Sequence, residues 1–456
     1  MPADGLPQPA RGYAMVTLCM AVAMAVLDGA IANIALPTIA TDLHTSPAAS
    51  IWVVNAYQLA VTVSLLPFSS LGDIYGYRRV FIAGLSVFTA ASLACALSHS
   101  LPALVASRVV QGFGAAGVMS VNTALVRFVV PRVQLGRGMA RITLTVAASA
   151  ATGPTVAAGI LSVAPWPYLF AINLPIGVVA ILLALRSLPH TPLSQHAFDV
   201  PSALLNAATF GLLIIAVDGL GQGETPLAAA LEFAGSVAIG VVFIRKQLTL
   251  PAPMLPVDLF RRPIFALSVA TSICSYSAQA LAYVGLPFLF QYAGGLSQIE
   301  TGLLMTPWPF VVVFVAPLAG RLSDRYSAGL LGGIGLAVLT LGLLLLFMVP
   351  EGAPNIAIAW RMAVCGIGFG FFQTPNNRAI LSSAPRERSG ASSGMLATAR
   401  LLGQTGGAAL VALIFGLTGG HPGGVGYGAK LALAVGAGFS AAGAIASLAR
   451  LGRGVH

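Results

Sequence analysis

Two charged residues, Asp28 and Arg108, lie inside long apolar runs of the sequence. A carboxylate inside an apolar, membrane-spanning helix is costly, so it must be protonated, paired or in contact with water. Apolar surroundings favour the uncharged form of a carboxyl group, and Asp28 could therefore bind and release a proton at physiological pH. We expect Asp28 to be a proton-binding group; the alternative is a structural hydrogen bond to a neighbouring helix.

Arg108 keeps its charge when buried, so its guanidinium needs a partner or water. Gln111 follows one helical turn later and lies on the same face of the helix. Two interpretations of Arg108 are open. Its charge can help to set the protonation of Asp28, or it can form a fixed structural salt bridge or a contact with backbone carbonyls.

Other polar side chains recur inside the apolar runs. Tyr276, Gln279 and Tyr283 share one helical face because they are spaced at i, i+3 and i+7. Such residues either join neighbouring helices or line a cavity in the interior of a bundle. A cavity of aromatic and amide groups would suit flat, lipophilic and often cationic compounds. The candidate cavity residues are Asn33, Trp52, Tyr57, Gln111, Tyr276, Gln279, Tyr283, Gln373, Asn376 and Arg400.

The composition indicates what kind of elements position these residues. The chain has 456 residues, of which only 8% are charged and 57% are hydrophobic. A soluble domain needs roughly a quarter of its residues charged, so a soluble enzyme and a disordered chain are excluded. The net charge of +10 comes from Arg clusters between apolar runs, which excludes a nucleic-acid-binding surface. The chain is an integral membrane protein.

The spanning length of about 20 apolar residues predicts fourteen membrane helices. With the N-terminus in the cytoplasm, nineteen of the 23 basic residues fall on the cytoplasmic side. This bias predicts an even number of helices and places both termini in the cytoplasm. The predicted helices cover residues 13–37, 51–71, 80–98, 102–124, 140–163, 168–187, 200–218, 226–244, 264–291, 301–320, 329–349, 356–377, 393–416 and 430–449.

Two short sequences recur along the chain. Residues 69–75 resemble residues 320–326 at an offset of 251, and 131–136 resemble 385–390 at an offset of 254. These offsets predict a duplicated six-helix bundle. We expect a first bundle over residues 13–187, two inserted helices with cytoplasmic linkers over 188–263, and a second bundle over 264–450. Many secondary transporters are built from such repeats, with the substrate site between the halves.

No nucleotide-binding loop is found in the sequence. Neither Lys246 nor Lys430 follows a glycine, as an ATP-binding loop requires. Gly112, Gly114 and Gly117 lie within an apolar run, where small residues favour close packing of helices. We therefore expect no cofactor, and energy from an ion gradient or from the substrate gradient itself.

Five ordered motifs resemble those of the fourteen-helix drug:proton antiporter family of the major facilitator superfamily. They are LDGAIANIALP (27–37), LGDIYGYRR (71–79), SRVVQGFGAAG (107–117), GPTVAAG (153–159) and WPYLFAINLPIG (166–177). The chain departs from the family pattern where Ser69 replaces a glycine, where Ile74 and Tyr77 replace basic residues, and where Ala157 and Ala158 replace two glycines.

The resemblance implies roles for several residues of these motifs. It implies that Asp28 and Arg108 couple transport to protons, that two cytoplasmic loops form a charge latch between helices, and that helix 5 bends at a Gly-Pro pair. Ordinary membrane anchoring is the alternative for the loop charges. The implied gating residues are Asp73, Gly76, Arg78, Arg79, Asp324, Arg325, Gly153 and Pro154.

The expected activity is therefore that of a transporter and not an enzyme. We expect a monomeric, proton-coupled antiporter that exports lipophilic or cationic drugs across the cytoplasmic membrane by alternating access. One alternative is an exporter of a single metabolite with the same fold and coupling. An alternative from another class is a membrane sensor or channel.

Overall fold

The structure is a computed structural model of the whole chain. Within the ranges that it describes, the chain is helical and contains no strand. Fourteen helices in these ranges are long and apolar enough to cross a membrane, which confirms the all-helical prediction and the predicted number of spans. The described residues are 5–131, 134–191, 193, 198–221, 225–250, 257–323, 325–350, 352–383, 389–418 and 424–451.

Seventeen α-helices make up the fourteen spans, because three spans are each divided into two consecutive helices (α2 with α3, α7 with α8, and α12 with α13). The helices are α1 (Ala10–Asp42), α2 (Pro47–Ser50), α3 (Trp52–Tyr75), α4 (Tyr77–Ala96), α5 (Leu101–Val129), α6 (Leu135–Leu161), α7 (Tyr168–Ala171), α8 (Asn173–Ser187), α9 (Val200–Gly221), α10 (Pro226–Thr249), α11 (Pro263–Phe288), α12 (Gln298–Met305), α13 (Pro307–Leu322), α14 (Ala328–Phe347), α15 (Asn355–Ser382), α16 (Ser389–Thr418) and α17 (Gly424–Leu448).

Side chains at the helix starts satisfy backbone N–H groups that have no partner within the helix. The hydroxyl of Ser297 accepts a hydrogen bond from the N–H of Glu300 at 3.2 Å, and the carboxylate of Glu300 accepts one from the N–H of Ser297 at 2.9 Å. This reciprocal capping box begins α12. Thr225 caps α10 in a similar way, ahead of Pro226 at the first helical position.

Glycines set the closest helix contacts, and these contacts recur along the chain. A Cβ on Gly114 of α5 would lie 2.4 Å from the backbone nitrogen of Phe88 in α4. A Cβ on Gly368 of α15 would lie 2.4 Å from the backbone nitrogen of Leu339 in α14. The glycines are 254 residues apart and their partners 251 apart. The two helix pairs are therefore packed in the same way.

Two further contacts in the first half have a counterpart in the second half. Gly112 approaches the carbonyl oxygen of Tyr57, and Gly366 approaches that of Trp308. Buried asparagines repeat as well, and here the spacing of the acceptor is 250. The hydrogen-bond pairs are Asn122 to the carbonyl of Leu18 at 3.2 Å, and Asn376 to the carbonyl of Ser268 at 3.1 Å. These matching contacts agree with the predicted duplication.

Substituting Gly114 by Ala should strongly destabilise the fold, because the new methyl group would overlap the backbone of α4. Overpacking typically costs about 1–3 kcal/mol, and backbone atoms have little freedom to move away. The matched control is Gly159→Ala, whose new Cβ would meet nothing within 4 Å. Thermal unfolding monitored by size-exclusion fluorescence should show a lower melting temperature for Gly114→Ala only. Equal melting temperatures for the two variants would contradict the close contact.

The inserted helices α9 and α10 pack against each other, and α9 also contacts α3 and α16. The side-chain amide of Asn206 donates to the carbonyl of Val63 at 2.9 Å. Lys246, near the end of α10, forms a salt bridge of 2.7 Å with Asp199, which directly precedes α9. Burial alone would raise the pKa of Asp199, but hydrogen bonds from Lys246 and Ser202 outweigh it and hold that pKa below its usual value. The helices α9 and α10 are thus attached to the periphery of the helix bundle, through α3 and α16.

Candidate functional site

Asp28 lies in the middle of α1 and is completely buried. One carboxylate oxygen is paired with the guanidinium of Arg108. The other oxygen accepts hydrogen bonds from the amide of Gln111 at 2.9 Å and from the amide of Asn173 at 2.8 Å. A buried carboxylate is stable only when it is paired and its remaining lone pairs are used. All three donors therefore stabilise the charged form of Asp28.

The guanidinium of Arg108 is completely buried. Its Nε donates to the carbonyl of Val53 at 2.8 Å, and its Nη1 also donates to the side-chain oxygen of Gln111 at 2.6 Å. The ring of Tyr57 lies 4.2 Å from the guanidinium carbon, and that of Phe170 lies 5.4 Å away. Aromatic faces attract cations, most strongly where water is excluded. Arg108 is held by an ion pair and by two rings.

Further hydrogen bonds connect the residues around Asp28 and Arg108 to neighbouring helices of the first half. The amide of Gln111 donates to the hydroxyl of Ser92 at 2.8 Å. The hydroxyl of Tyr57 donates to the carbonyl of Ala25 at 3.1 Å. Together the contacts join α1, α3, α4, α5 and α8. We call the set Asp28, Arg108, Gln111, Asn173 and Ser92 the ionic network.

The sequence predicted Asp28, Arg108 and Gln111, although it assigned Gln111 to a substrate cavity. The structure instead places Gln111 in the ionic network, with no exposed surface. Asn173 was not singled out, although it lies in the motif over residues 166–177. Ser92 was missed as well, because one serine in an apolar run does not reveal which helix it faces.

The second half of the chain provides an internal comparison for the ionic network. At the spacings of 250, 251 and 254 that the packing contacts define, Asp28 corresponds to Ala278 and Arg108 to Met362. The counterparts of Ser92 and Gln111 are Leu343 and Cys365, and all four counterparts are fully buried. The same helix packing is therefore achieved without charges. Packing alone does not explain why the first half contains them.

The candidate cavity residues fall into separate groups. Tyr276 is buried, accepts a hydrogen bond from the amide of Gln373 at 3.1 Å, and packs edge-on against Phe369. Tyr283 is half-buried and packs edge-on against Trp308 at 5.2 Å. Gln279 lies on α11 with these two tyrosines and is half-buried. The members on other helices are Asn33, which donates to the carbonyl of its own helix at Gly29, and the half-buried Trp52 and Arg400.

Asn376 belongs to a different contact, at the end of α17. It is fully buried and donates to the hydroxyl of Ser272 at 2.8 Å. Its oxygen accepts a hydrogen bond from Arg450 at 2.8 Å, and Arg450 also donates to the hydroxyl of Ser268 at 2.8 Å. Burial lowers the pKa of Arg450 to about 10. The distribution of basic residues predicts only the side of the membrane on which Arg450 lies, and the structure shows in addition that its side chain cross-links helices.

The first loop predicted to gate transport has defined contacts. Tyr77 donates to the carboxylate of Asp73, and Gly76 adopts a φ of +94°, which favours glycine. Arg78 contacts the ring of His190 at 2.8 Å and donates to a backbone carbonyl in α8. Arg79 is exposed. In the part of the chain that the structure describes, Asp73 forms no salt bridge.

In the second loop predicted to gate transport, Asp324 lies outside the described residues and Arg325 is exposed. The charge latch between helices at these loops therefore stays a prediction. The tyrosine contact to Asp73 offers one reason why the sequence pattern differs there. Tyr77 occupies a position where the family has a basic residue, and its hydroxyl reaches the same carboxylate.

Gly153 and Pro154 lie where α6 meets two other helices. A Cβ on Gly153 would lie 2.6 Å from the Cβ of Ala30 in α1. The carbonyl of Pro154 lies 2.7 Å from the position that a Cβ on Gly302 of α12 would occupy. This pair therefore brings α6 close to the second half of the chain as well as to α1.

Side-chain hydrogen bonds join the two halves. Thr155 and Thr306 share one of 2.8 Å, Thr41 and Tyr292 share one of 3.4 Å, and Gln291 donates to the carbonyl of Ile34 at 3.2 Å. All three lie toward the C-terminal ends of α1 and α6. The halves are thus joined at the end of the bundle opposite to the start of α1.

Comparison with known proteins gives matches over nearly the whole chain. The family model described as Major Facilitator Superfamily matches residues 18–408. The uncharacterized transporter YebQ of Escherichia coli (strain K12) is 57% identical over 92% of this chain and 93% of its own length. The riboflavin transporter RibZ of Clostridioides difficile (strain 630) is 30% identical over 85% and 84%. The multidrug efflux pump LfrA of Mycolicibacterium smegmatis is 28% identical over 89% and 81%.

Solved structures support the same fold at low sequence identity. A bacterial homologue of the lysosomal transporter Spinster, in an inward-facing and unoccupied conformation, matches with a TM-score of 0.70 at 14% identity. That match covers 97% of each chain. A peptide transporter (POT) in complex with sulfate matches with a TM-score of 0.71 at 13% identity, over 96% of this chain and 94% of the other.

Proposed function

The chain belongs to the major facilitator superfamily, and from this premise we propose that it is a proton-coupled antiporter that exports small amphipathic compounds across the cytoplasmic membrane. It is a multi-pass membrane transporter and not an enzyme. The ionic network around Asp28 carries the proposal. It buries a carboxylate and a permanent cation in one half of a duplicated fold whose other half packs without them.

The coupling follows from the charges of the network. When Asp28 takes up a proton, its carboxyl group no longer balances the charge of Arg108. A buried cation without a counter-charge is strongly unfavourable. Protonation therefore favours a different packing of the helices, in which Arg108 gains water or another partner. A ligand shifts such an equilibrium only by its difference in affinity for the two states, and here the proton is that ligand.

Alternating access would come from movement of the bundle over residues 13–187 against that over 264–450. If the N-terminus is cytoplasmic, as the distribution of basic residues predicts, the hydrogen bonds of Thr155 and Thr41 lie on the outer side. The two halves would then be joined outside. Each charge that moves with the gradient contributes about 2.3 kcal/mol per 100 mV, so a proton can drive uphill export.

The test uses the full-length protein in proteoliposomes with an imposed pH gradient. We expect uphill accumulation of amphipathic dyes that collapses when a protonophore is added. Transport at the same rate with and without the gradient would refute proton coupling. Absence of any accumulation, together with an ion current, would favour a channel.

A second candidate function is export of a single metabolite. It is favoured by the 30% identity to a riboflavin transporter over 85% of this chain. The same proteoliposomes, tested with riboflavin and a panel of unrelated dyes, separate the two functions. Acceptance of riboflavin alone would favour the single-metabolite exporter, and acceptance of several unrelated compounds the multidrug exporter.

A further inference from the structure

Arg400 lies on the side of α16 that faces the seam between the two halves. Gly403 of α16 packs on α11, because a Cβ there would lie 2.6 Å from the carbonyl oxygen of Ile273. Leu401 is buried in the apolar core of the first half, in the same cluster as Tyr57. On a helix with 3.6 residues per turn, Arg400 projects between the directions of Gly403 and Leu401. It is therefore placed between α11 and α3.

The surroundings of Arg400 agree with this position. Its charge acts electrostatically on Tyr57 of α3 and on Tyr276 of α11, one tyrosine from each half. Its side chain is half-buried within the span over Gly394–Thr418, in the first third of that span. With the described residues it forms neither a salt bridge nor a hydrogen bond. A cation inside a membrane span normally pairs with an acid or lines a pathway.

The charges near the seam are not balanced among the described residues. Both carboxylate oxygens of Asp28 are already occupied by the ionic network. Glu232 lies on α10 in the peripheral pair, and Glu300 is used in the capping box of α12. Of these three carboxylates, only Glu232 keeps a buried oxygen without a hydrogen-bond partner, and it lies on α10, which packs mainly against α9.

The aromatic residues near Arg400 do not provide a binding site for a cationic substrate either. The ring of Tyr57 is occupied, since Arg108 lies 4.2 Å from its centre. Tyr276 packs edge-on against Phe369. A half-buried cation repels a second cation and discriminates against it. The sequence predicted a cavity for cations from its rings, but the uncompensated charge of Arg400 favours the opposite sign.

We propose that Arg400 binds the acidic group of the substrate, and that this transporter exports planar aromatic anions in preference to cations. The inference rests on the proposed function, since it names the substrate class of that transport pathway. A guanidinium presents two parallel N–H donors that match a carboxylate or a similar oxyanion. On α11, the half-buried Gln279 and Tyr283 offer an amide and an aromatic group to a flat ring.

The sign of the substrate charge has a measurable consequence. Exchange of one monovalent cation for one proton moves no net charge across the membrane. Exchange of an anion for a proton moves at least two charges in the same electrical direction, so a membrane potential that is negative inside would drive export. Substrate charge can therefore be determined from the effect of potential on transport.

The experiment compares fluorescein and rhodamine 123, an anionic and a cationic dye that share a xanthene ring. The full-length protein is reconstituted in proteoliposomes, with a pH gradient and with potentials set by potassium and valinomycin. We expect wild-type protein to accumulate fluorescein but not rhodamine 123. Accumulation of fluorescein should be faster when the compartment from which it is transported is electrically negative. Fluorescein binding to the protein in detergent is measured separately by fluorescence anisotropy.

Variants test the residue itself. Arg400→Gln should weaken fluorescein binding about ten-fold or more, since a charge-assisted hydrogen bond is lost, and Arg400→Lys should restore part of the affinity. The control is Arg361→Gln, because Arg361 is also half-buried within a span but donates to Ala357 of its own helix and lies over Trp360. The control should bind fluorescein with unchanged affinity. All variants must elute as a single peak in size exclusion.

The outcomes separate this proposal from the proposed function. Uphill accumulation of rhodamine 123 without fluorescein would overturn the anion proposal and leave proton-coupled export intact. If neither dye responds to the pH gradient, coupled export fails, and the binding measurement still decides the substrate class. Fluorescein binding that depends on Arg400 would support the anion site. Binding that is absent, or equal in Arg400→Gln, would overturn it.

Discussion

Replacing Asp28 and Arg108 together by Ala and Met should leave a folded protein that no longer drives export against a gradient. These are the residues that the second half carries at the corresponding buried positions, Ala278 and Met362. The double variant removes both charges and keeps side chains that the same packing already accommodates elsewhere in the chain. It therefore separates the contribution of the charges to coupling from their contribution to stability.

The single variants should be the less stable ones. Removing one partner of a buried ion pair costs about 3–5 kcal/mol, because the remaining charge has no partner. Removing both avoids this penalty and leaves mainly the amide of Asn173 without its acceptor, at about 1–3 kcal/mol. We expect the melting temperature of the double variant to lie above that of Asp28→Ala and that of Arg108→Met.

The variants should rank differently in proton-coupled transport than in stability. Uphill transport under a pH gradient should be abolished in both Asp28→Ala and the double variant, because neither can bind the proton. Substrate exchange without a gradient should persist in the double variant, which identifies loss of coupling and not loss of folding. Uphill accumulation at the wild-type rate in the double variant would exclude Asp28 as the coupling site.

The helices and the charged centre could be predicted from the sequence, but the partners of that centre could not. The scarcity of charge predicts fourteen spans, and it makes Asp28 and Arg108 conspicuous. Helical periodicity tells which residues share a face, but not which neighbouring helix that face meets. Asn173 was therefore missed, and Gln111 was assigned to a cavity although it lies in the ionic network.

A similar limit applies at the ends of the helices. Arg450 looks like one of many basic residues that flank a span. Only the approach of α17 to α11 and α15 shows that it is buried against Ser268 and Asn376. The position of Arg400 depends in the same way on the packing of Gly403 against α11. The sequence alone contains no signal for either of these contacts between distant helices.

Joining Thr155 and Thr306 by a disulfide should stop transport completely and reversibly. Their hydroxyl oxygens are 2.8 Å apart, and they belong to different halves of the chain. In a disulfide the two sulfur atoms lie about 2.05 Å apart, so cysteines at these positions can be joined with little movement. Alternating access requires this contact to open, and the cross-link would hold the halves together at that end.

The experiment uses the Thr155→Cys and Thr306→Cys pair in a background in which the native cysteines are replaced by serine. Those residues are Cys19, Cys95, Cys274 and Cys365. Oxidation should abolish uphill dye transport, and a reducing agent should restore it. Mass spectrometry of the digested protein identifies the cross-linked peptide.

The matched control pairs Thr145→Cys with Thr306→Cys. Thr145 lies on the same helix as Thr155, but the rise of about 1.5 Å per residue places it roughly 15 Å away along α6. Cα atoms more than about 7 Å apart cannot be bridged without backbone movement, so oxidation should leave this variant active. The oxidised Thr155 pair should still bind substrate in detergent, because the cross-link holds the halves together at this one end of the bundle. Full transport by the cross-linked protein would mean that this contact never opens during the cycle, and movement of one half against the other would be refuted.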